Sequence, residues 1–205
     1  MALSRKRKTK DPCPTCFLHR DLCICELIPL LELRTRICLV VHARELKRTT
    51  NTGRLAVKAL LGSEMRIRGE GRTKLDLSDL LSPEYRTCLF FPSDDAIRLT
   101  QEWVSESPLP IRLIVPDGNW RQASKVQTRH PELKNIPRVM ITEANPETQF
   151  LRAESTLEGM ATLQAIAVAL SVIEGAEVGE SLMRLYRAKL ERTLMGRGTF
   201  ASLTL

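Results

Sequence analysis

Three stretches of this sequence place polar or unusual residues directly after short apolar runs. His42, followed by Arg44 and Glu45, comes after Ile37-Cys38-Leu39-Val40-Val41. Pro92-Ser93-Asp94 follows Thr87-Cys88-Leu89-Phe90-Phe91, and Pro116-Asp117-Gly118-Asn119-Trp120 follows Ile111-Arg112-Leu113-Ile114-Val115. Short β-rich runs read as strands, and ligands of parallel α/β sheets bind beyond the carboxyl ends of their strands. His42, Ser93 and Asp117 are therefore expected on one edge, near one cleft. Asp117 admits two readings: a cap on the following helix, with Gly118 relaxing the turn, or a carboxylate at a pocket mouth that serves as general base or hydrogen-bond acceptor. Trp120 is either core packing or a platform for a base. Arg121, Lys125 and Arg129 recur every fourth residue, a stripe that suits phosphates as well as a solvated helix face.

The polar loop from His42 to Gly53 joins a strand to a helix, and Asn51 or Thr52 is positioned to cap that helix. The exposed N–H groups of such a helix start suit an anion. Ser155 and Glu158 have capping-box spacing, so Ser155 is expected to open a helix whose N-terminus is also a place for ligand contacts.

Cys13, Cys16, Cys23 and Cys25 form a third kind of constellation, Cys-x2-Cys-x6-Cys-x-Cys. Four thiolates complete a closed tetrahedral zinc site, which is structural because no coordination position stays open. His19 lies nearby as a substitute ligand, and an iron–sulfur cluster is the alternative metal reading. A redox Cys-x-x-Cys fits less well, since no strand precedes it. Cys38 and Cys88 sit inside apolar runs and read as small buried hydrophobes.

The elements that must position these residues follow from periodicity. Strands are expected near 37–41, 87–91, 111–115 and 138–141, and helices over 54–61, 95–104 with Asp94 as cap, 120–129, 155–174 and 180–194. Their alternation gives an α/β fold with a mainly parallel sheet flanked by helices. Two units are expected: residues 1–30, a basic tail and zinc-binding segment, and residues 31–205, the catalytic domain. The chain has 205 residues with a formal charge of +7, an excess that suits an anionic partner such as nucleic acid. The basic run 4–10 reads as a solvated tail or a phosphate-tracking arm. No apolar stretch is long enough to cross a membrane and no apolar segment follows the basic N-terminus, so no membrane association and a cytoplasmic location are expected.

Taken together, the cysteine cluster, His42-x-x-Glu45-Leu46-Lys47-Arg48-x-x-Asn51-Thr52-Gly53-Arg54-Leu55, Phe91-Pro92-Ser93-x-x-Ala96, Pro116-Asp117-Gly118-x-Trp120-x-x-Ala123 and Ser155-Thr156-Leu157-Glu158 resemble the DTW-domain proteins. The chain departs from the family pattern at Asn119, where Thr is usual, and at Gly159, where Ala is frequent. The resemblance implies tRNA-uridine aminocarboxypropyltransferase activity: the 3-amino-3-carboxypropyl group of S-adenosylmethionine moves to N3 of a tRNA uridine, leaving methylthioadenosine. It implies a SPOUT-like fold with a C-terminal trefoil knot. Asp117 and Trp120 are then the expected catalytic pair. His42, Pro92, Ser93, Pro116, Gly118, Asn119, Arg152, Ser155, Thr156 and Glu158 are expected around S-adenosylmethionine. Arg44, Glu45, Lys47, Arg48, Asn51, Thr52, Arg121 and Lys125 are expected toward the tRNA. A SPOUT-like methyltransferase and a non-enzymatic zinc-containing RNA-binding module are the competing readings, and both monomer and homodimer stay open.

Overall fold

The computed structural model describes residues 11–70, 74–142 and 159–198. Its centre is a sheet of β1 (Arg36–His42), β2 (Glu64–Arg68), β3 (Arg86–Phe90), β4 (Ile97–Arg98), β5 (Ile111–Asp117) and β6 (Arg138–Met140), in the order β2-β1-β5-β3-β6-β4. Every pairing among these strands is parallel. The helices are α1 (Gly53–Ala59), α2 (Gln101–Ser105), α3 (Trp120–Ala123), α4 (Val126–Arg129), α5 (Thr162–Ile173) and α6 (Ala176–Arg197).

Both faces of the sheet are covered, which explains why β1 and β5 read as unbroken apolar runs rather than alternating ones. Ile37, Leu39 and Val41 of β1, with Leu113 and Val115 of β5, point into a large core shared with α1, α5 and α6. Cys38, Val40 and Ile114 point the other way, into a smaller core with Leu77, Leu80, Val126 and Leu133. Cys38 and Cys88 are buried among apolar neighbours, as their sequence context predicts, and burial pushes both thiols up to about 12.

Four local differences from the sequence-based expectation have physical causes. The region 95–104 is not one helix headed by Asp94, because Ile97 and Arg98 pair with Val139 and Met140 at the sheet edge. Thr100 caps the short α2 instead, its Oγ1 accepting from Trp103 N at 3.3 Å. The helix expected over 120–129 is divided into α3 and α4 at Lys125, whose φ and ψ are −89° and 0°. The Arg121–Lys125–Arg129 stripe is therefore not carried by one continuous helix. The helix expected from Ser155 starts at Thr162, since residues 159–161 are not helical. Its start is fixed from elsewhere: Leu163 N donates to Thr52 Oγ1 at 3.1 Å. Ser155 itself lies outside the described residues. Finally, β2 was not expected; its alternating sequence Glu-Met-Arg-Ile-Arg is that of an edge strand.

Helices α5 and α6 pack closely through Gly179. A Cβ there would stand 2.5 Å from the Cβ of Ser171 and 2.9 Å from the carbonyl oxygen of Ala167. Alanine gains about 1 kcal/mol over glycine in a helix interior, whereas overpacking costs about 1–3 kcal/mol. Gly179→Ala is expected to lower stability in urea unfolding by up to about 2 kcal/mol, against the direction that helix propensity alone dictates.

Candidate functional site

The carboxyl ends of β1, β2 and β5 lie side by side. Val41 stands opposite Asp117, and His42 stands opposite Arg68. Asp117 is 5% exposed. Its Oδ2 accepts from Asn51 Nδ2 at 2.5 Å and its Oδ1 from Thr162 Oγ1 at 2.5 Å. Asn51 precedes α1, and its Oδ1 in turn accepts from Arg54 N at 3.3 Å. Thr162 is the first residue of α5, so the carboxylate lies against the positive end of a buried 12-residue helix. Hydrogen bonds to a carboxylate favour its charged form, as does a helix N-terminus.

Asp117 is thus not the cap of the following helix. That role belongs to Asn119, whose Oδ1 accepts from Gln122 N at 2.9 Å while Gln122 Oε1 accepts from Asn119 N at 2.9 Å. This reciprocal box leaves no room for a side chain at 118, where a Cβ would come within 2.7 Å of Gln122 Oε1. The short helix it starts carries Trp120 outward, 63% exposed. Core packing is excluded for this residue. Its ring rests on Phe91, with centroids 4.9 Å apart and planes tilted by 39°. A large aromatic face open to solvent and propped from behind can stack a flat ligand.

His42 is half-buried, its Nδ1 accepting from Arg44 N at 3.2 Å. Partial burial lowers its pKa, and the charges of Arg68 and Arg44 lower it further. Arg68 is 4% exposed, and its guanidinium donates to the carbonyl oxygen of Gln122, tying β2 to α3. Burial lowers the pKa of Arg68, with Arg129 adding to the effect. Glu45 is buried and meets Arg48 at 3.1 Å. Arg44, Lys47, Arg121 and Lys125 are exposed, whereas Asn51, Thr52 and Pro116 are buried. Ser93 turns toward the other edge, donating to Asp95 Oδ1 at 2.7 Å and accepting from Arg138 at 3.4 Å, and Pro92 is exposed. Arg152, Ser155, Thr156 and Glu158 lie outside the described residues. Thr162, Arg68 and Gln122 were not singled out from sequence, and Phe91 was named there only within a strand and a motif, without a role.

The second site is the cysteine cluster. Sγ–Sγ separations are 3.5 Å for Cys13–Cys25, 3.7 Å for Cys16–Cys23 and 3.6 Å for Cys13–Cys23, and all four sulfurs lie within 4.8 Å of one another. Zinc–sulfur bonds of about 2.3 Å in a tetrahedron require edges of about 3.8 Å, so the set can hold a metal ion. His19 is turned to Asp21 instead, accepting from its N–H at 3.3 Å. Behind the cluster, fully buried Lys189 of α6 donates to the carbonyl oxygen of Cys16 at 2.6 Å. Burial lowers the Lys189 pKa to about 8.

Residues 10–194 match the family model of the DTW domain. Three similar proteins are each called tRNA-uridine aminocarboxypropyltransferase 2. The one from Macaca fascicularis is 24% identical over 188 residues, covering 88% of this chain and 63% of the relative. The one from Mus musculus is 26% identical, covering 87% and 62%, and the one from Drosophila melanogaster is 28% identical, covering 85% and 72%. The chain thus spans under two thirds of the length of the macaque and mouse relatives. No solved structure matches.

The Asp117 network has a measurable energetic signature. Thr162→Val keeps the shape and removes one donor from a buried carboxylate, which is expected to cost about 1–3 kcal/mol in urea unfolding, while Thr162→Ser, which keeps the hydroxyl, costs less than half as much. Equal effects of the two substitutions would assign the loss to packing.

Proposed function

The chain belongs to the DTW-domain family, and we propose that it transfers the 3-amino-3-carboxypropyl group of S-adenosylmethionine to N3 of a uridine in tRNA, releasing methylthioadenosine. The names of the three relatives support this reading. The observation that carries it is the pairing of a buried, hydrogen-bonded carboxylate at Asp117 with an exposed, propped aromatic face at Trp120, three residues apart on one sheet edge.

S-adenosylmethionine supplies a carbon made electrophilic by the adjoining sulfonium. The site suits such a cationic group, because a hydrogen-bonded carboxylate lies at the edge where parallel sheets bind ligands. Asp117 accepts the N3 proton of the uridine as the N3–carbon bond forms and the carbon–sulfur bond breaks. The Asn51 donor engages Oδ2 and the Thr162 donor engages Oδ1, so both oxygens are oriented at the sheet edge. Those donors also hold the oxygens in place, so no reorganisation is needed as attack develops. Trp120 receives the uridine, which must be unpaired for its N3 to be reached. Pro116, Gly118 and Asn119 line the donor side in this reading and His42 stands where the donor and the RNA meet, whereas Ser93, beside Pro92, is held by Asp95 and Arg138 at the β3 end. Arg152, Ser155, Thr156 and Glu158 complete the donor site in this reading. Glu45, Asn51 and Thr52 support the substrate side, and exposed Arg44, Lys47, Arg121 and Lys125, with Arg48, meet the tRNA backbone.

In the same reading the sheet is SPOUT-like, with a C-terminal trefoil knot. The all-parallel sheet, in which β5 lies between β1 and β3 and β6 between β3 and β4, supports the α/β part of this reading. Residues 1–30 form the zinc-stapled segment and 31–205 the catalytic domain, and cytoplasmic placement is part of the proposal. Cys13, Cys16, Cys23 and Cys25 hold zinc as a structural ion.

Two experiments test these assignments. Asp117→Asn is expected to reduce methylthioadenosine release with tRNA by about 100-fold or more, with S-adenosylmethionine binding largely kept. Activity near wild type rejects Asp117 as the base, and adenosylhomocysteine as product from the unaltered chain replaces the reading with methyl transfer. Metal analysis of the purified chain is expected to find about one zinc per chain, and its removal by chelation to lower Tm by about 10 °C, the shift that ~3 kcal/mol produces at this size. Iron in its place overturns the zinc assignment.

A further inference from the structure

Two arginines near the sheet edge meet their desolvation differently. Arg54 is half-buried, lies over the ring of Phe17 at 3.7 Å, donates to the carbonyl oxygen of Leu46 at 2.6 Å and feels the charge of Asp117. Arg68 is more deeply buried, and its hydrogen bond likewise goes to a neutral carbonyl, that of Gln122. The Nε of both arginines lacks a hydrogen-bond partner, but Arg54 has the Phe17 ring and the opposite charge of Asp117 beside it. The charges that reach Arg68 are of its own sign: Arg129 acts on Arg68, and Arg68, Arg44 and Arg129 all act on His42. Among the described residues none of Arg44, Arg68 and Arg129 forms an ion pair. Glu45 is the acidic group that acts on His42, and it is buried against Arg48. A buried cation without a counter-charge is costly, and the cost is met when an anion binds.

We propose that Arg68, His42, Arg44 and Arg129, at the carboxyl ends of β1 and β2, form a seat for an oxyanion, the backbone phosphate of the nucleotide whose base lies against Trp120. The inference rests on the transferase reading for the identity of that nucleotide, though not for the anion seat itself. The order of strands carries the argument. Arg68 ends β2, His42 ends β1 beside it, Asp117 ends β5 on the other side of β1, and Phe91 follows β3 beyond. Adjacent strands are about 4.8 Å apart, so roughly 10 Å separate the backbones of Arg68 and Asp117, and the Arg68 guanidinium reaches back from there to α3 at Gln122. A nucleotide laid along the row puts its phosphate at Arg68 and its base between Asp117 and Trp120. Arg44 and Arg129 are exposed, so the seat opens to solvent through them. Gly69 follows Arg68 with φ +75°, and a Cβ there would stand 3.3 Å from His42 Nε2, so the backbone crosses the imidazole without crowding it.

The test uses the full chain and a single-stranded oligouridylate of about ten nucleotides, with affinity followed against salt. Losing one phosphate contact to a single strand flattens the slope of log K against log salt by about 0.7, or about fivefold in affinity near 0.1 M. Arg68→Gln and Arg129→Gln are each expected to show that loss, and Arg129→Gln decides the matter if the buried substitution fails to fold. In the unaltered chain the oligonucleotide is expected to raise the His42 pKa, read from its ring proton resonances, because a nearby anion favours the imidazolium. Unchanged slopes in both variants overturn the proposal. So does a loss of S-adenosylmethionine affinity in Arg68→Gln at unchanged RNA slope, which assigns the seat to the carboxylate of the donor. If the slope responds but no tRNA is modified by the unaltered chain, the phosphate seat stands and the transferase reading falls.

Discussion

The carboxylate of Asp117 is the point on which this architecture converges. It ends the central strand β5, accepts from Asn51 ahead of α1 and from Thr162 at the start of α5, and so pins three elements that are far apart in sequence. A buried carboxylate is tolerated only when its oxygens are supplied with donors. Meeting that demand fixes the start of both helices relative to the strand. Thr52, the neighbour of Asn51, completes the arrangement by accepting from the backbone of Leu163. The same contacts that satisfy the charge also bring α1 and α5 onto one face of the sheet. The candidate site and the fold therefore share one set of hydrogen bonds, and this edge cannot loosen without costing the fold.

The parallel sheet turns this local constraint into a surface. Because every pairing among the described strands is parallel, the carboxyl ends of β2, β1, β5 and β3 all emerge on the same edge, and chemically different residues fall there in a row. Positive charge collects at β2 and β1, negative charge at β5, and aromatic surface beyond it at Trp120 and Phe91. Such a row discriminates the two ends of a ligand, since a molecule with an anionic end and a flat end fits it in one direction only.

What the sequence reveals about this arrangement divides by range. Runs of apolar residues identify β1, β3, β5 and β6, because strands buried on both faces carry that signal locally. His42 and Asp117 were expected on one edge and are found there, since a strand end is readable from where an apolar run stops. The cysteine spacing is likewise local. Thr162 carried no signal: it lies in an apolar stretch that reads as the middle of a helix, and its partner is 45 residues away. Arg68 was hidden because a charged residue at an edge strand ordinarily faces solvent, and its burial depends on α3 folding over it. Trp120 was ambiguous for the opposite reason. Its exposure depends on the Asn119–Gln122 box, which turns the short helix outward, so Asn119 in place of the family's usual Thr keeps the polar cap.

The cysteine segment lies well away in sequence from Asp117, yet two mechanical routes join them. Phe17, between Cys16 and Leu18, stacks under Arg54 of α1, three residues after Asn51. Lys189 of α6 donates to the carbonyl of Cys16, and α6 packs through Gly179 onto α5, which begins at Thr162. The segment thus braces both helices whose starts hold the carboxylate. Four thiolates around a divalent metal carry a net charge of about −2, which an apolar surrounding tolerates poorly. Fully buried Lys189, donating to the Cys16 carbonyl, is placed to offset part of such a charge. The cysteine segment and the C-terminal helix are therefore one packed unit, and through α1 and α5 that unit braces the elements that hold Asp117.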